Sequence, residues 1–477
     1  MVHLHVLSLC DPHTSPVDKQ NEHRDGRPGS GHADRLAIST IPNKFRRKCS
    51  LRLARLRINY LLKIGKLIAL LCTWFFNASD AQVSKVDSSA MVTLRIDPES
   101  ARGGAVSQYF EKVSFIPLET TKESLFGSIA QLKTSKNHFI IFDYDTQAVL
   151  IFNRDGKFKA KVSGREKIFS ENDQQGQQSY YGFQLIRYLT DSAIKIQKGK
   201  YSYLFDLDGK LIKKELSSTE PYFSNFTSNN QNRVYTNYLS KQTKDSTHYE
   251  VAVTDGIKEL GLFFPFSSDK YKNDQYLTGA ESLKYSATDH TFFFIRSYEY
   301  NIYKLRPTSL SLCYHLIFPA ANSIPKDFLT KAELKNKRIE YFEKFPDQIY
   351  AIGNPYQFGD NLYFKTYQMG WNTQRKNSLI YNLKNAQLTS IKNIDPDSLS
   401  QFLPITDAGI SHDFHNQGFH ASDGEYLYTS YSSMAMFAFK ELSSGKVREY
   451  DPLLSKYFKE ATKKSNPVII QLKPKTN

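Results

Sequence analysis

Two stretches of the chain, VLIFNRDGKFKAKV (149–162) and SYLFDLDGKLIKKEL (202–216), carry one pattern, with their Asp155 and Asp208 53 residues apart. Each reads as an apolar strand, an Asp-Gly turn and a Lys-rich strand. Asp-Gly between alternating apolar runs is a strong hairpin signal, because glycine accepts the positive φ that a tight turn demands. The pattern recurs in YEVAVTDGIKELGLF, NIYKLRPTSLSLCYHL, SLIYNLKNAQLTSIKNI and MFAFKELSSGKVREY, the last turning at Ser444-Gly445. A further strand pair precedes each hairpin, from IAQLKTSKNHFIIFDYD in the first unit to GFHASDGEYLYTSYS in the last. Four strands per unit, six units at a spacing of roughly 50 residues, predict an all-β, six-bladed β-propeller of four-stranded blades over residues 92–473.

The remaining segments fit a ring. PKDFLTKAELKNKRIEYFEKF (325–345) is charged and helical in character, and predicts a helical insertion, 321–346, between the fourth and fifth blades. VSFIPLET (113–120) precedes the first unit and SNPVIIQLK (465–473) follows a short helical stretch, LLSKYFKEATKK. Propellers close by combining strands from both termini, because an unpaired sheet edge invites aggregation. VSFIPLET could complete the last blade, and which terminal strand takes which place stays open.

Residues 1–81 read as a leader. A basic segment, FRRKCSLRLARLRINYLLKIGK (45–66), meets the ten-residue apolar run LIALLCTWFF (67–76), then Ser79 and Ala81 as small residues before a cleavage at Gln82. That order is a secretory signal, and ten apolar residues are too few for a span of about 20. The polar stretch 1–44 reads as an overextended start. With the leader removed the formal charge falls from +15 by 7 (13 Lys+Arg against 6 Asp+Glu) to +8, and no Lys/Arg cluster of the nucleic-acid-binding kind is left. Of the four cysteines Cys313 alone lies outside the leader, so no internal disulfide is expected, and its apolar context predicts a buried thiol. Phe, Tyr and Trp at 14% can bury a sizeable core.

The opening unit, FEKVSFIPLETTKESLFGSIAQLKTSKNHFIIFDYDTQAVLIFNRDGKF (110–158), resembles the six-bladed propellers exported by Bacteroidetes, which are related to TolB-like and NHL-type propellers. The IPLETT…SLFGSI entry and the NPVIIQLK ending share the likeness. One stretch departs from it: after KVSGR (161–165) the chain has EKIFSENDQQGQQSYYGF where such proteins have a short Gly-Pro-Gly-Glu-type turn. The resemblance implies fold and export. It carries no catalytic signature to transfer.

The run SHDFHNQGFH (411–420) puts His412, His415 and His420 at the entry of the sixth blade's first strand, near the channel mouth. On a strand, positions 412 and 415 point to opposite faces, so the spacing is poor for metal, and no metal or other cofactor is expected. The chain has no G-x-S-x-G elbow, no H-E-x-x-H, no P-loop and no dinucleotide fingerprint. Loop aromatics and arginines are better ligand candidates: Tyr181 in QQSYYGF, Arg296 in FIRSYEYN, Tyr356 in GNPYQFGDN and Trp371 in QMGWNTQRKN. Aromatic faces stack on sugars, and arginine pairs with carboxylates. These readings converge on an exported, non-catalytic propeller, periplasmic or at the cell surface. Its expected ligand is a glycan, a peptide or a partner protein, held at one face of the ring, with an outer-membrane complex as one such partner. Nucleic acid and a membrane span in the mature chain are not expected. The alternative is a lyase-like or lactonase-like enzyme on the same fold that acts on carbohydrate through His412, His415 and His420.

Overall fold

The computed structural model describes residues 85–164, 182–198, 201–216, 224–226, 233–236, 247–255, 258–266, 283–286, 291–370, 372–407, 414, 417–446 and 449–476. Among them, six sheets follow one another along the chain as the blades of a propeller. Blade one comprises Gln131–Thr134, His138–Asp143, Ala148–Asn153 and Phe158–Ser163, each strand antiparallel to the next. Blades two, three and four repeat that order over Gln184–Leu216, Ser224–Phe266 and Leu283–Ile317, and blade five over Ile349–Asp395. The expected turns form where glycine permits them: Gly156 and Gly209 take φ of +86° and +76°.

Side-chain alternation explains why these sheets stack around an axis. In His138–Asp143, Phe139 and Ile141 join the core shared with blade six, whereas Ile140 and Phe142 join the core shared with blade two. A strand apolar on both faces can be satisfied only between two other sheets. Full burial of each such side chain is worth about 1.5–3 kcal/mol relative to exposure. The same division recurs between blades three and four and between blades four and five.

Blade six closes the ring with strands from both ends of the chain. Its order is Ala421–Ser422, Leu427–Tyr431, Val468–Pro474 and Phe110–Pro117. The VSFIPLET segment is thus the outer strand of the last blade, and SNPVIIQLK the strand beside it. The expected hairpin in MFAFKELSSGKVREY is not formed. Ser433–Ser443 is an α-helix, because Ser432 caps it by accepting from the Ala435 N–H and the run through Leu442 contains helix formers and no β-branched residue. Ala435, Met436 and Phe439 then fall on one buried stripe, and a second helix, Pro452–Glu460, follows under an Asp451 cap.

Before entering blade six, the chain straps two others. Val92–Arg95 runs parallel to the outer strand of blade four, and Arg102–Ala105 parallel to that of blade five. Each is a fifth strand that covers an edge. Cys313, expected to be buried, is half-buried, because it lies on that outer strand of blade four. A 3-10 turn, Ala332–Leu334, and a helix, Arg338–Lys344, lie between blades four and five. No helix among the described residues is long and apolar enough to cross a membrane.

The closure is fastened by Asn466, which is wholly buried. Its side chain donates to the Glu119 and Ser124 carbonyls at 2.7 and 2.9 Å and accepts from the Phe126 N–H at 3.0 Å. Arg154 of blade one reaches the Tyr428 hydroxyl at 2.8 Å and Asp423 at 3.3 Å in blade six, and lies over the Phe139 ring. Replacing Asn466 by Ala orphans the Ser124 carbonyl and the Phe126 N–H and leaves the Glu119 carbonyl with the Ser124 hydroxyl as its side-chain donor. The expected loss is about 2–4 kcal/mol, read as a lower denaturation midpoint at unchanged slope.

Candidate functional site

Chain direction decides which end of the ring carries the long loops. Connections that leave one blade's outer strand and enter the next blade's inner strand emerge at the same end as the loops joining second to third strands. That end receives the helices Arg338–Lys344, Ser433–Ser443 and Pro452–Glu460. The inner strands start there and run down the channel.

Three successive inner strands bring polar side chains together. Lys284 lies on the inner strand of blade four, Leu283–Ser286; Leu283 packs toward blade three, so alternation turns Lys284 toward blade five. Its ammonium stands 5.7 Å from the centre of the Tyr356 ring. Tyr356 lies on the inner strand of blade five, Ile349–Phe358, and is buried, its hydroxyl 3.4 Å from the Phe419 carbonyl. His420 immediately precedes the inner strand of blade six. Its Nε2 is 2.9 Å from the Ser430 hydroxyl and its N–H donates to the Tyr428 carbonyl. Burial, reinforced by the charge of Lys284, pushes the His420 imidazole down to about 4, so it is neutral at neutral pH.

Asn354 sets this geometry. The register of blade five slips between Gly353 and Tyr356, and within the slip Asn354 takes φ of +54°. Its amide donates to the Phe419 carbonyl at 2.8 Å and accepts from the Phe419 N–H at 3.0 Å, so it fixes the last turn before His420. Gly418 completes that turn at φ +73°, where a Cβ would lie 3.0 Å from the Asn354 side-chain oxygen.

Of the seven residues singled out from sequence, His420 and Tyr356 meet at this cluster, joined by Lys284. Arg296 is placed elsewhere. It forms an ion pair with Glu250 of blade three at 2.9 Å and another with Glu299, and stacks over Phe264 at 4.3 Å, which makes it a clamp between blades three and four. Tyr181, Trp371, His412 and His415 lie outside the described residues. Arg375, near Trp371, pairs with Asp347 at 2.6 Å. Among the described residues no three His, Cys, Asp or Glu side chains stand close enough to hold a metal. Sequence reading missed Lys284 and Asn354. The signal for Lys284 was available: a lysine inside an inner-strand run, SLKYS, must turn its head into a seam or the channel.

The sign of the His420 effect on stability follows from its lowered pKa. Between the free-chain value of 6.5 and about 4 the unfolded chain binds the proton that the folded one refuses. Stability from this group is complete above pH 6.5 and is lost as pH falls toward 4. Replacing His420 by Gln is expected to leave stability unchanged at pH 7.5. At pH 5 the variant should be the more stable protein, the difference growing by at most about 1.4 kcal/mol per pH unit, as urea denaturation at both pH values would show.

The family model described as "Domain of unknown function (DUF4934)" matches residues 94–473, and the chain belongs to that family. No curated protein matches it. Among solved structures it is similar to an exported protein of Bacteroides fragilis, at 13% identity and a TM-score of 0.54, over 81% of this chain and 99% of that one. It is also similar to a member of the DUF4221 family from Bacteroides vulgatus, at 11% identity and a TM-score of 0.39, over 77% and 98% of the two chains.

Proposed function

We propose that this DUF4934 propeller is an exported, non-catalytic binding module that takes an anionic ligand where the inner strands of blades four, five and six meet. The observation that carries the reading is the convergence of Lys284, Tyr356 and His420 from three consecutive inner strands. An ammonium and an imidazole held neutral stand beside an aromatic face. That combination suits a carboxylate- or sulfate-bearing glycan, whose ring stacks on the aromatic while its charge meets the lysine; an acidic peptide or an acidic partner surface offers the same charge. Export follows from the reading of residues 45–81 as a secretory signal, and the similar Bacteroides fragilis protein is itself named as exported. Kinship with TolB-like and NHL-type propellers belongs to the same reading.

One observation favours the enzymatic alternative. His420 Nε2 and the Ser430 hydroxyl, 2.9 Å apart, have the spacing of a nucleophile and its base. Binding is preferred on two grounds: a histidine pushed down to about 4 is a weak base, and Ser430 is buried.

An array of neutral, uronate-bearing and sulfated glycans, with acidic and neutral peptides beside them, separates the readings. Acidic members should bind, and Lys284→Met should weaken them at least tenfold with the circular dichroism spectrum unchanged. Absence of any acidic hit sinks the binding reading. Labelling of Ser430 by a fluorophosphonate would establish the enzyme instead.

A further inference from the structure

One inter-blade seam holds polar groups for which the described residues supply no partners. On the second strand of blade five, Asn361–Gln368, Leu362 and Phe364 enter the core shared with blade four and Tyr363 enters the core shared with blade six. Alternation therefore turns Lys365 toward blade six. Lys365 is 3% exposed, and its ammonium rests 4.4 Å from the centre of the Tyr367 ring. Among the described residues it makes no ion pair. Its neighbours in register are Gly353, which offers no side chain, and Ser378, whose buried hydroxyl has no hydrogen-bond partner among the described residues. Residues directly opposite on adjacent strands have Cβ atoms about 5 Å apart, within reach of one small ligand.

Two more orphans line the same seam. The Tyr363 hydroxyl is buried without a partner among the described residues. Thr429, on the second strand of blade six between Leu427 and Tyr431, shares their face toward blade five, and its hydroxyl likewise has no partner among them. Each unsatisfied buried hydroxyl costs about 1–3 kcal/mol, and a lone buried ammonium costs several kcal/mol. Native proteins keep such groups where something else satisfies them. All four can donate hydrogen bonds, and only Lys365 carries charge.

We propose that the seam between blades five and six binds a small oxyanion of carboxylate size, held by Lys365 and Ser378 with the hydroxyls of Tyr363 and Thr429 along the same seam. The site adjoins the other cluster, since Tyr363 stands opposite Tyr356 in register, but its charge is that of Lys365 and not of Lys284. Burial pulls the Lys365 amine down to about 7. Lys284→Met tests the one proposal and Lys365→Met the other, so their failures are distinguishable.

The test is thermal unfolding of the purified protein at pH 6 in rising sodium acetate, with acetamide as the neutral isostere. Acetate should raise the midpoint of the wild type saturably, by about 3 °C well above its dissociation constant, and acetamide should not. Lys365→Met should unfold at a higher temperature than the wild type in buffer, because it removes the lone buried charge, and should lose the acetate response. General salt effects act equally on that variant. Ser378→Ala, with the amine intact, should raise half-saturation by about tenfold. Equal shifts by acetate and acetamide, or an acetate shift retained by Lys365→Met, would overturn the proposal.

Discussion

A ring of sheets is stable only if its first and last blades meet, and here that meeting is a single antiparallel pairing of chain ends. Val468–Pro474 lies beside Phe110–Pro117, with Ile470 opposite Phe115 and Leu472 opposite Val113. The hydrogen bonds of this pair give the ring its closure, and their neighbours depend on it. Asn466 can bind the Glu119 and Ser124 carbonyls only when the two termini are side by side. The segment that supplies Phe110–Pro117 also covers the edges of blades four and five on its way. Blades four, five and six are thereby tied by one continuous stretch of backbone, and they are the same three blades that bring Lys284, Tyr356 and His420 together.

The seams differ in how they treat charge. Arg154 spans blades six and one and is met by Asp423 and the Tyr428 hydroxyl. Arg296 spans blades three and four and is met by Glu250 and Glu299. A guanidinium presents its donors in a fixed fork, so two partners can satisfy it and it fastens a seam at little cost. The seam between blades five and six has a lysine in the corresponding role, Lys365, which makes no ion pair among the described residues. A seam evolved only for fastening would use the pattern of the other two.

The fold was legible because its periodicities are local. Alternating apolar residues around Asp155-Gly156 and Asp208-Gly209 specify hairpins whatever the rest of the chain does, and their recurrence specifies the ring. The one hairpin misread, at 436–450, failed for a local reason too: Ser432 caps a helix whose apolar positions, read two apart, imitate a strand. The site was less legible because it is assembled between blades. Nothing near Arg296 in sequence announces that Glu250, 46 residues earlier, will occupy its guanidinium. Nothing near Tyr356 announces Lys284 above its ring. His420 was found as part of a conspicuous run, yet what sets its proton affinity is burial and a lysine from two blades away.

Closure and the unsatisfied seam are coupled. Blade six exists only once both termini have paired, so the face that Thr429 presents to Lys365 forms with closure and is lost when the ring opens. An anion that binds this face binds only the closed ring, and by linkage it stabilises closure by the free energy of its own binding. The orphan hydroxyls and the lone ammonium work in the opposite direction, lowering the stability of the closed but unliganded ring. The sequence thus places its least satisfied groups where occupancy and ring integrity are one equilibrium. Substitutions that make this seam more apolar would strengthen the fold while uncoupling it from any ligand, which is the trade expected when stability is held back for binding.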